Sequence, residues 1–151
     1  MSNFALSNTS LSRLDGVKAP LVEVVKRAIV VTTVDFGVNQ GLRTIAQQKQ
    51  YVASGASQTM QSKHLTGDAV DVMAYIDGHG RWDAGLYPTI ADAFKQAAID
   101  CGVKIRWGGA WNIADIRLWH SSMDDAMEAY AKHQRSIGAR PFLDLGHFEL
   151  N

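Results

Sequence analysis

The eight residues Ala69 to Ile76 constrain this chain most, because apolar side chains stand at both parities and the run Asp77-Gly78-His79-Gly80 closes the stretch. Successive side chains of a strand point to opposite faces, so the pattern predicts a strand buried on both sides, ended by a turn. Just ahead lies Ser62-Lys63-His64-Leu65-Thr66-Gly67-Asp68, in which Gly67 allows a sharp turn of the backbone into the strand. An imidazole at position 64 and a carboxylate at position 71 thereby flank the start of one strand.

Around this strand the periodicity alternates irregularly. Thr9 or Ser10 can cap a short helical turn, and Pro20 can start a helix with apolar positions Leu21, Val24, Val25, Ala28 and Ile29. Val34 to Asn39 reads as a strand stopped by Gly41, and Thr44 through Val52 as a helix with a glutamine-rich exposed face closed by Gly55. Residues 54 to 63 are small and polar and read as a loop. Tyr87 to Cys101 has a helical stripe of Ile90, Ala93, Phe94, Ala97 and Ala98, ended by Gly102; Val103 to Trp107 reads as a strand followed by a Gly108-Gly109 turn. Ser122 or Asp124 can cap a helix running toward Gly138, and His147 to Leu150 is a last strand. Helices and strands mixed in this way, with long connections, predict an α+β fold rather than a doubly wound parallel sheet. A length of 151 residues fits one domain, 1–151, whose core needs neither a disulfide nor a metal to hold it together.

The chemistry is concentrated in two places. The last strand is entered through Asp144-Leu145-Gly146-His147-Phe148-Glu149, which supplies a second imidazole with one carboxylate three residues before it and another two after. Two histidines and one carboxylate, with a fourth position left to water, form the ligand set of a hydrolytic zinc centre. Two imidazole nitrogens suit a borderline ion better than they suit magnesium or calcium, and hydrolysis needs no redox change. The spacing of His64 and Asp71 taken alone arises by chance in many sequences. From the residues by themselves, His64 as a hydrogen-bonded loop histidine and His147 as a strand histidine remain open alternatives.

The pattern S-x-H-x-x-G-x-A-x-D, followed far downstream by D-x-x-H-x-E, resembles the zinc D-alanyl-D-alanine carboxypeptidases and phage L-alanyl-D-glutamate endopeptidases, and among them the phage endolysins. Gly41-Leu42-Arg43-Thr44 with Gln48 is similar to that family's G-x-R-T-x-x-x-Q segment, so most of the chain is covered and only about residues 112 to 142 are more individual. The resemblance implies a hedgehog/DD-peptidase-like fold, a central and mostly antiparallel sheet flanked by helices with the metal at one end of the sheet. It implies one zinc held by His64, Asp71 and His147, and hydrolysis of the L-Ala–D-Glu bond of peptidoglycan stem peptides. Asp144 takes the role of general base in this reading, since a loop carboxylate before the last strand can move a proton from the attacking water to the leaving amine; Glu149 competes for that role or orients His147. Arg43 is expected to clamp a substrate carboxylate or the oxyanion, with Gln48 supporting the same wall by hydrogen bonding, and Gln48, Ser62, Trp111 and Glu149 are the expected substrate-binding residues. The rival readings are a D-alanyl-D-alanine carboxypeptidase or dipeptidase of the same fold, and a zinc-binding module without catalysis.

Other properties set boundaries on these readings. Fifteen basic and fifteen acidic residues cancel, which offers no electrostatic basis for nucleic acid or an anionic membrane. The N-terminal stretch Met1 to Ser10 is polar and has no signal-like apolar region, and no run approaches a membrane span. The expectation is a monomer kept in the host bacterial cytoplasm until a separate membrane-permeabilising protein lets it reach the wall. Cys101 is expected to be a buried, inert thiol, and His79, His120 and His133 solvated bystanders.

Overall fold

The stretch Ala69–Ile76 forms β2, the strand on which the sheet is organised. In the computed structural model, which describes residues 3–151, β1 (Asp35–Gln40) pairs along one edge of β2, while β5 (His147–Leu150) and β3 (His79–Arg81) share the other. Met1 and Ser2 of the polar N-terminal stretch lie outside the described residues. β4 (Ile105–Trp107) pairs with β5, so the order is β1-β2-β5-β4 with β3 beside β2. Every pairing among the described residues is antiparallel. The helices are α1 (Asn8–Arg13), α2 (Ala19–Val31), α3 (Ile45–Ala53), α4 (Tyr87–Cys101) and α5 (Met123–Ser136). This is the α+β arrangement expected, an antiparallel sheet with helices around it.

The two faces of β2 differ more than its sequence suggests. Val70, Val72 and Ala74 are fully buried in the core with Leu21, Val24, Val25 and Ala28 of α2 and Ile90, Phe94, Ala97 and Ala98 of α4. Phe148 of β5 points the same way and stacks on Phe94 with ring centroids 3.7 Å apart. The alternate residues Asp71, Met73 and Tyr75 are only half-buried, so the expectation of burial on both faces holds for one. The second face is left partly open, and the candidate site is there.

Three local differences have simple causes. Ser7, not Thr9 or Ser10, caps α1: its side chain accepts from the Ser10 backbone N–H at 3.0 Å, and Thr9 and Ser10 lie inside the helix. The turn after β2 is only two residues long, because Asp77 (φ 51°) and Gly78 (φ 78°) are both left-handed. Such a turn matches the twist of a hairpin, so pairing resumes at His79, where a longer turn was expected. Cys101 is exposed rather than buried, since the last turn of α4 (Ile99, Asp100, Cys101) projects beyond the layer it packs on. Partial burial, with the carboxylates of Glu23 and Asp100, pushes that thiol up, which keeps it protonated and unreactive.

Candidate metal centre

Sheet register places the first two candidate ligands. Asp71 of β2 is the direct antiparallel partner of His147 on one side and of Gln40 on the other, so the row Gln40–Asp71–His147 crosses three strands on the open face. His147 Nδ1 lies 3.1 Å from Asp71 Oδ1. The third candidate arrives from the 3-10 turn Lys63–Thr66, which Ser62 caps by accepting from the His64 backbone N–H at 3.2 Å. That turn ends at Gly67 in the left-handed region (φ 76°), where a Cβ would meet the Gly16 carbonyl oxygen at 2.3 Å. Only glycine fits both demands.

The orientation of His64 is fixed from behind. Its Nδ1 donates to the Gly41 carbonyl at 2.8 Å, and its carbonyl accepts from the Arg43 N–H at 2.9 Å. Nε2 therefore carries the free lone pair, aimed 3.1 Å from Asp71 Oδ1 but with no hydrogen bond of its own despite being buried. One donor atom from each of His64, Asp71 and His147 lies within 4.8 Å of the other two. An orphaned imidazole nitrogen, a second imidazole and a carboxylate converging on one point fit a metal ion; this trio could hold one.

His147 is held at its far nitrogen as well. Nε2 is 2.8 Å from Glu149 Oε1, and Glu149 is in turn paired with Lys63 Nζ at 3.1 Å. Glu149 is buried, and it fixes the ring so that Nδ1 faces Asp71. Burial works against a charged His147, but the bonds to Asp71 and Glu149 outweigh it and push its pKa up to about 9 in the metal-free protein. Burial likewise works against Asp71 ionising, yet the hydrogen bond from His147 holds its carboxyl well below the usual carboxylate range.

Asp144 stands apart from this group of three. Its Oδ2 is 3.8 Å from His147 Nδ1 and its side chain is 46% exposed, the most open carboxylate at the centre. Enclosure by the cleft walls and the nearby negative charge of Asp71 raise its pKa, outweighing the pull of His147, His64 and Arg43. A carboxylate whose charged form is disfavoured in this way accepts a proton more readily than an ordinary one.

The cleft over the trio has a volume of about 690 Å³. Arg43, Ser62, Trp111, Asp144, His147 and Glu149 all line it. Arg43 donates to Gln48 Oε1 at 2.5 Å and to Gln40 Oε1 at 2.6 Å, sits 4.5 Å over the Tyr51 ring, and reaches Asp71 Oδ2 at 3.8 Å. Gln48 does not line the cleft. It is fully buried, donating to Ser57 Oγ at 2.9 Å and to the Thr59 carbonyl, so it supports Arg43 as expected and braces the loop, without reaching the cleft as a substrate contact would. Trp111 packs its ring 5.3 Å from His147 and 5.9 Å from Phe142.

A model of the phage L-alanyl-D-glutamate peptidases matches residues 1–150 of this sequence. The chain belongs to that family. It is 39% identical over 114 residues to the L-alanyl-D-glutamate peptidase of Escherichia phage T5, covering 73% of this chain and 83% of that protein. The crystal structure of the Serratia marcescens L-Ala D-Glu endopeptidase ChiX superposes with a TM-score of 0.73 at 33% identity, over 99% of this chain and 92% of the other. The chain is thus a peptidase with the fold the family resemblance implied. No helix among the described residues is long and apolar enough to cross a membrane.

Several residues of this peptidase site carried no signal in the sequence. Gln40 joins through a β-bulge between Val38 and Gln40 that shifts the register, Tyr51 reaches Arg43 from the far end of α3, and Phe142 meets Trp111 from the loop before Asp144. Lys63 was within reach, since it adjoins His64, but its partner Glu149 lies 86 residues away. His79, His120 and His133 are exposed and lie outside the cleft.

Proposed function

We propose that this chain hydrolyses the amide bond between L-alanine and D-glutamate in peptidoglycan stem peptides, as a single-zinc peptidase that degrades the bacterial wall. The observation that carries the reading is the convergence of His64 Nε2, Asp71 Oδ1 and His147 Nδ1 beneath an open cleft, with a fourth carboxylate, Asp144, beside but outside the group. A structural site would need neither the opening nor the spare carboxylate. When bound by these three residues, zinc supplies the Lewis acidity that makes water nucleophilic near neutral pH and polarises the scissile carbonyl.

Everything else is done by the chain's own groups. Asp144 takes the proton from the attacking water and delivers it to the leaving amine of D-glutamate. Glu149 and Lys63 keep His147 turned the right way. Arg43, held rigid by Gln40, Gln48 and Tyr51, presents positive charge along one wall, where a substrate carboxylate or the developing oxyanion is stabilised. Ser62 and Trp111 form the remaining polar and aromatic walls. The chain acts as a monomer and reaches the wall from the host cytoplasm after a separate protein permeabilises the membrane.

Mass spectrometry of digested peptidoglycan tests the reading. New amino termini on D-glutamate are expected. Release of free D-alanine would make the protein a carboxypeptidase, and intact wall in the presence of zinc would leave a binding module.

A further inference from the structure

The cleft does not end at the candidate centre. A second arm of about 270 Å³ continues from Asn39, Asp71 and Asp144, which border both parts, and runs between the β3 hairpin and the loop before β5. Its walls are Val72, Trp82, Tyr87, Leu143, Leu145 and Gly146. The two arms are chemically unlike. The larger contains Arg43 and Lys63 among serine, threonine and glutamine side chains, with Tyr51, Trp111 and Phe142, whereas the smaller has no lysine or arginine and is aromatic and aliphatic beyond the shared Asn39, Asp71 and Asp144.

Trp82 is the distinctive group there. It follows β3 directly and lies parallel to Tyr87, with ring centroids 6.1 Å apart and an interplanar angle of 8°. Tyr87 is a rigid backing, because it is buried and its hydroxyl donates to the Arg81 carbonyl at 2.8 Å and accepts from the Ala74 N–H at 3.2 Å. Even with that contact made, Trp82 remains 63% exposed. A large indole held on a hairpin at the edge of a cleft, with most of its surface in water, serves no packing need that a smaller residue would not meet.

We propose that this second arm receives the sugar-bearing side of the substrate, with Trp82 as the platform on which the amino-sugar ring rests. The inference builds on the L-Ala–D-Glu reading above. On the L-alanine side of that bond the stem is joined through an uncharged amide to an amino sugar, whose ring exposes a face of C–H groups; on the other side D-glutamate carries a carboxyl group. The carboxyl side belongs with Arg43 and Lys63. The neutral side, with an apolar face to offer, belongs with Trp82 and Leu143, since no lysine or arginine lines that arm to receive a carboxylate and its two charged residues are Asp71 and Asp144. Trp82 is therefore a specificity-determining residue rather than a catalytic one, and it should act on binding and not on the chemical step.

The test compares two synthetic substrates, a stem peptide with N-acetylmuramic acid attached to L-alanine and the same peptide with an acetyl group in its place. Trp82→Ala and Trp82→Phe are assayed on both, with zinc-loaded enzyme, and Leu118→Ala serves as the control for loss of an exposed apolar side chain away from the cleft. Trp82→Ala should raise KM for the sugar-bearing peptide roughly three- to tenfold with kcat within about twofold, and leave kcat/KM for the acetyl peptide unchanged. Trp82→Phe should recover part of the loss. Equal effects on the two peptides, or none on either, overturn the subsite while wild-type cleavage at L-Ala–D-Glu leaves the parent reading standing. If wild type cuts neither peptide at that bond, the parent reading falls and the subsite with it.

Discussion

Replacing Gly108 with alanine should disable the enzyme through the turn that carries Asp144, without substituting any candidate ligand. The turn that carries Asp144 is seamed to the end of β4 by two hydrogen bonds, Gly108 N–H to the His147 carbonyl and Asp144 N–H to the Gly108 carbonyl, both 2.9 Å. A Cβ at position 108 would lie 2.1 Å from the Asp144 carbonyl oxygen and 3.1 Å from the Asp144 Cβ. A carbon and a carbonyl oxygen need roughly 3.3 Å, so the two segments must part by about 1 Å. Weakening both hydrogen bonds costs about 1–3 kcal/mol. For a protein of this size that lowers Tm by roughly 2–12 °C. A shift of about 1 Å in a proton-transferring group costs on the order of a hundredfold in turnover. Turnover on purified wall, metal content and Tm would be measured together, with Gly85→Ala as the control because a methyl there meets nothing within 4 Å. Zinc should remain, held by a trio of which two members lie outside the disturbed turn. Wild-type turnover in a folded, zinc-loaded Gly108→Ala variant would refute the claim that Asp144 must stand where this turn puts it.

Asp144→Asn should keep zinc and fold while lowering turnover about a hundredfold or more, whereas Glu149→Gln should chiefly weaken metal binding, by roughly 10–100-fold, through His147; loss of turnover at full zinc occupancy in the Glu149 variant alone would reverse the two roles. Arg43→Lys loses the planar fork whose two nitrogens donate to Gln48 and Gln40, and should be impaired nearly as much as Arg43→Ala, a comparison that near-normal wall hydrolysis by the lysine form would defeat. His147→Ala, or treatment of the wild type with a chelator, should abolish hydrolysis, restored by added zinc in the second case only; elemental analysis showing full zinc in His147→Ala would remove His147 from the site. In the metal-free protein His147 titrates at about 9 against 6.5 in the unfolded chain, a raised value, so its contribution is present in full below 6.5 and lost as pH rises through 9. Chemical denaturation should therefore show about 3 kcal/mol less stability at pH 10 than at pH 6 from this group, and a flat profile would contradict the assignment of its partners.

Legibility in the sequence followed the range of the interactions. Strand β2, α4 and β5 were readable to the residue because each is framed by local punctuation or pattern: Gly67 and Asp77-Gly78, Gly102, and the polar–apolar alternation of His147 to Leu150 after Gly146. The three candidate ligands were readable because each sits beside a turn in a recognisable motif. What escaped were features set by tertiary neighbours. On the open face of β2 only Asp71 breaks the apolar pattern, and Met73 and Tyr75 beside it read as core residues. Gln48 could be read as a support for Arg43, but not its full burial or its bond to the Thr59 carbonyl. Cys101 continues an apolar stripe whose supporting layer simply stops short of it. Trp82 lies in a charged, glycine-containing hairpin, and only the space beside it gives it meaning.

The cross-strand row that ends at His147 has a consequence in time. β5 lies between β2 and β4, yet it leaves the ribosome after every other described element, and it brings both the inner strand of the sheet and the last metal-ligand candidate. Until those residues emerge, β2 has an unfilled edge and the trio has two members. A shift of one residue in their pairing would turn His147 toward Phe94 and put Phe148 in its place. Closure of the sheet and assembly of the candidate trio are thus one event.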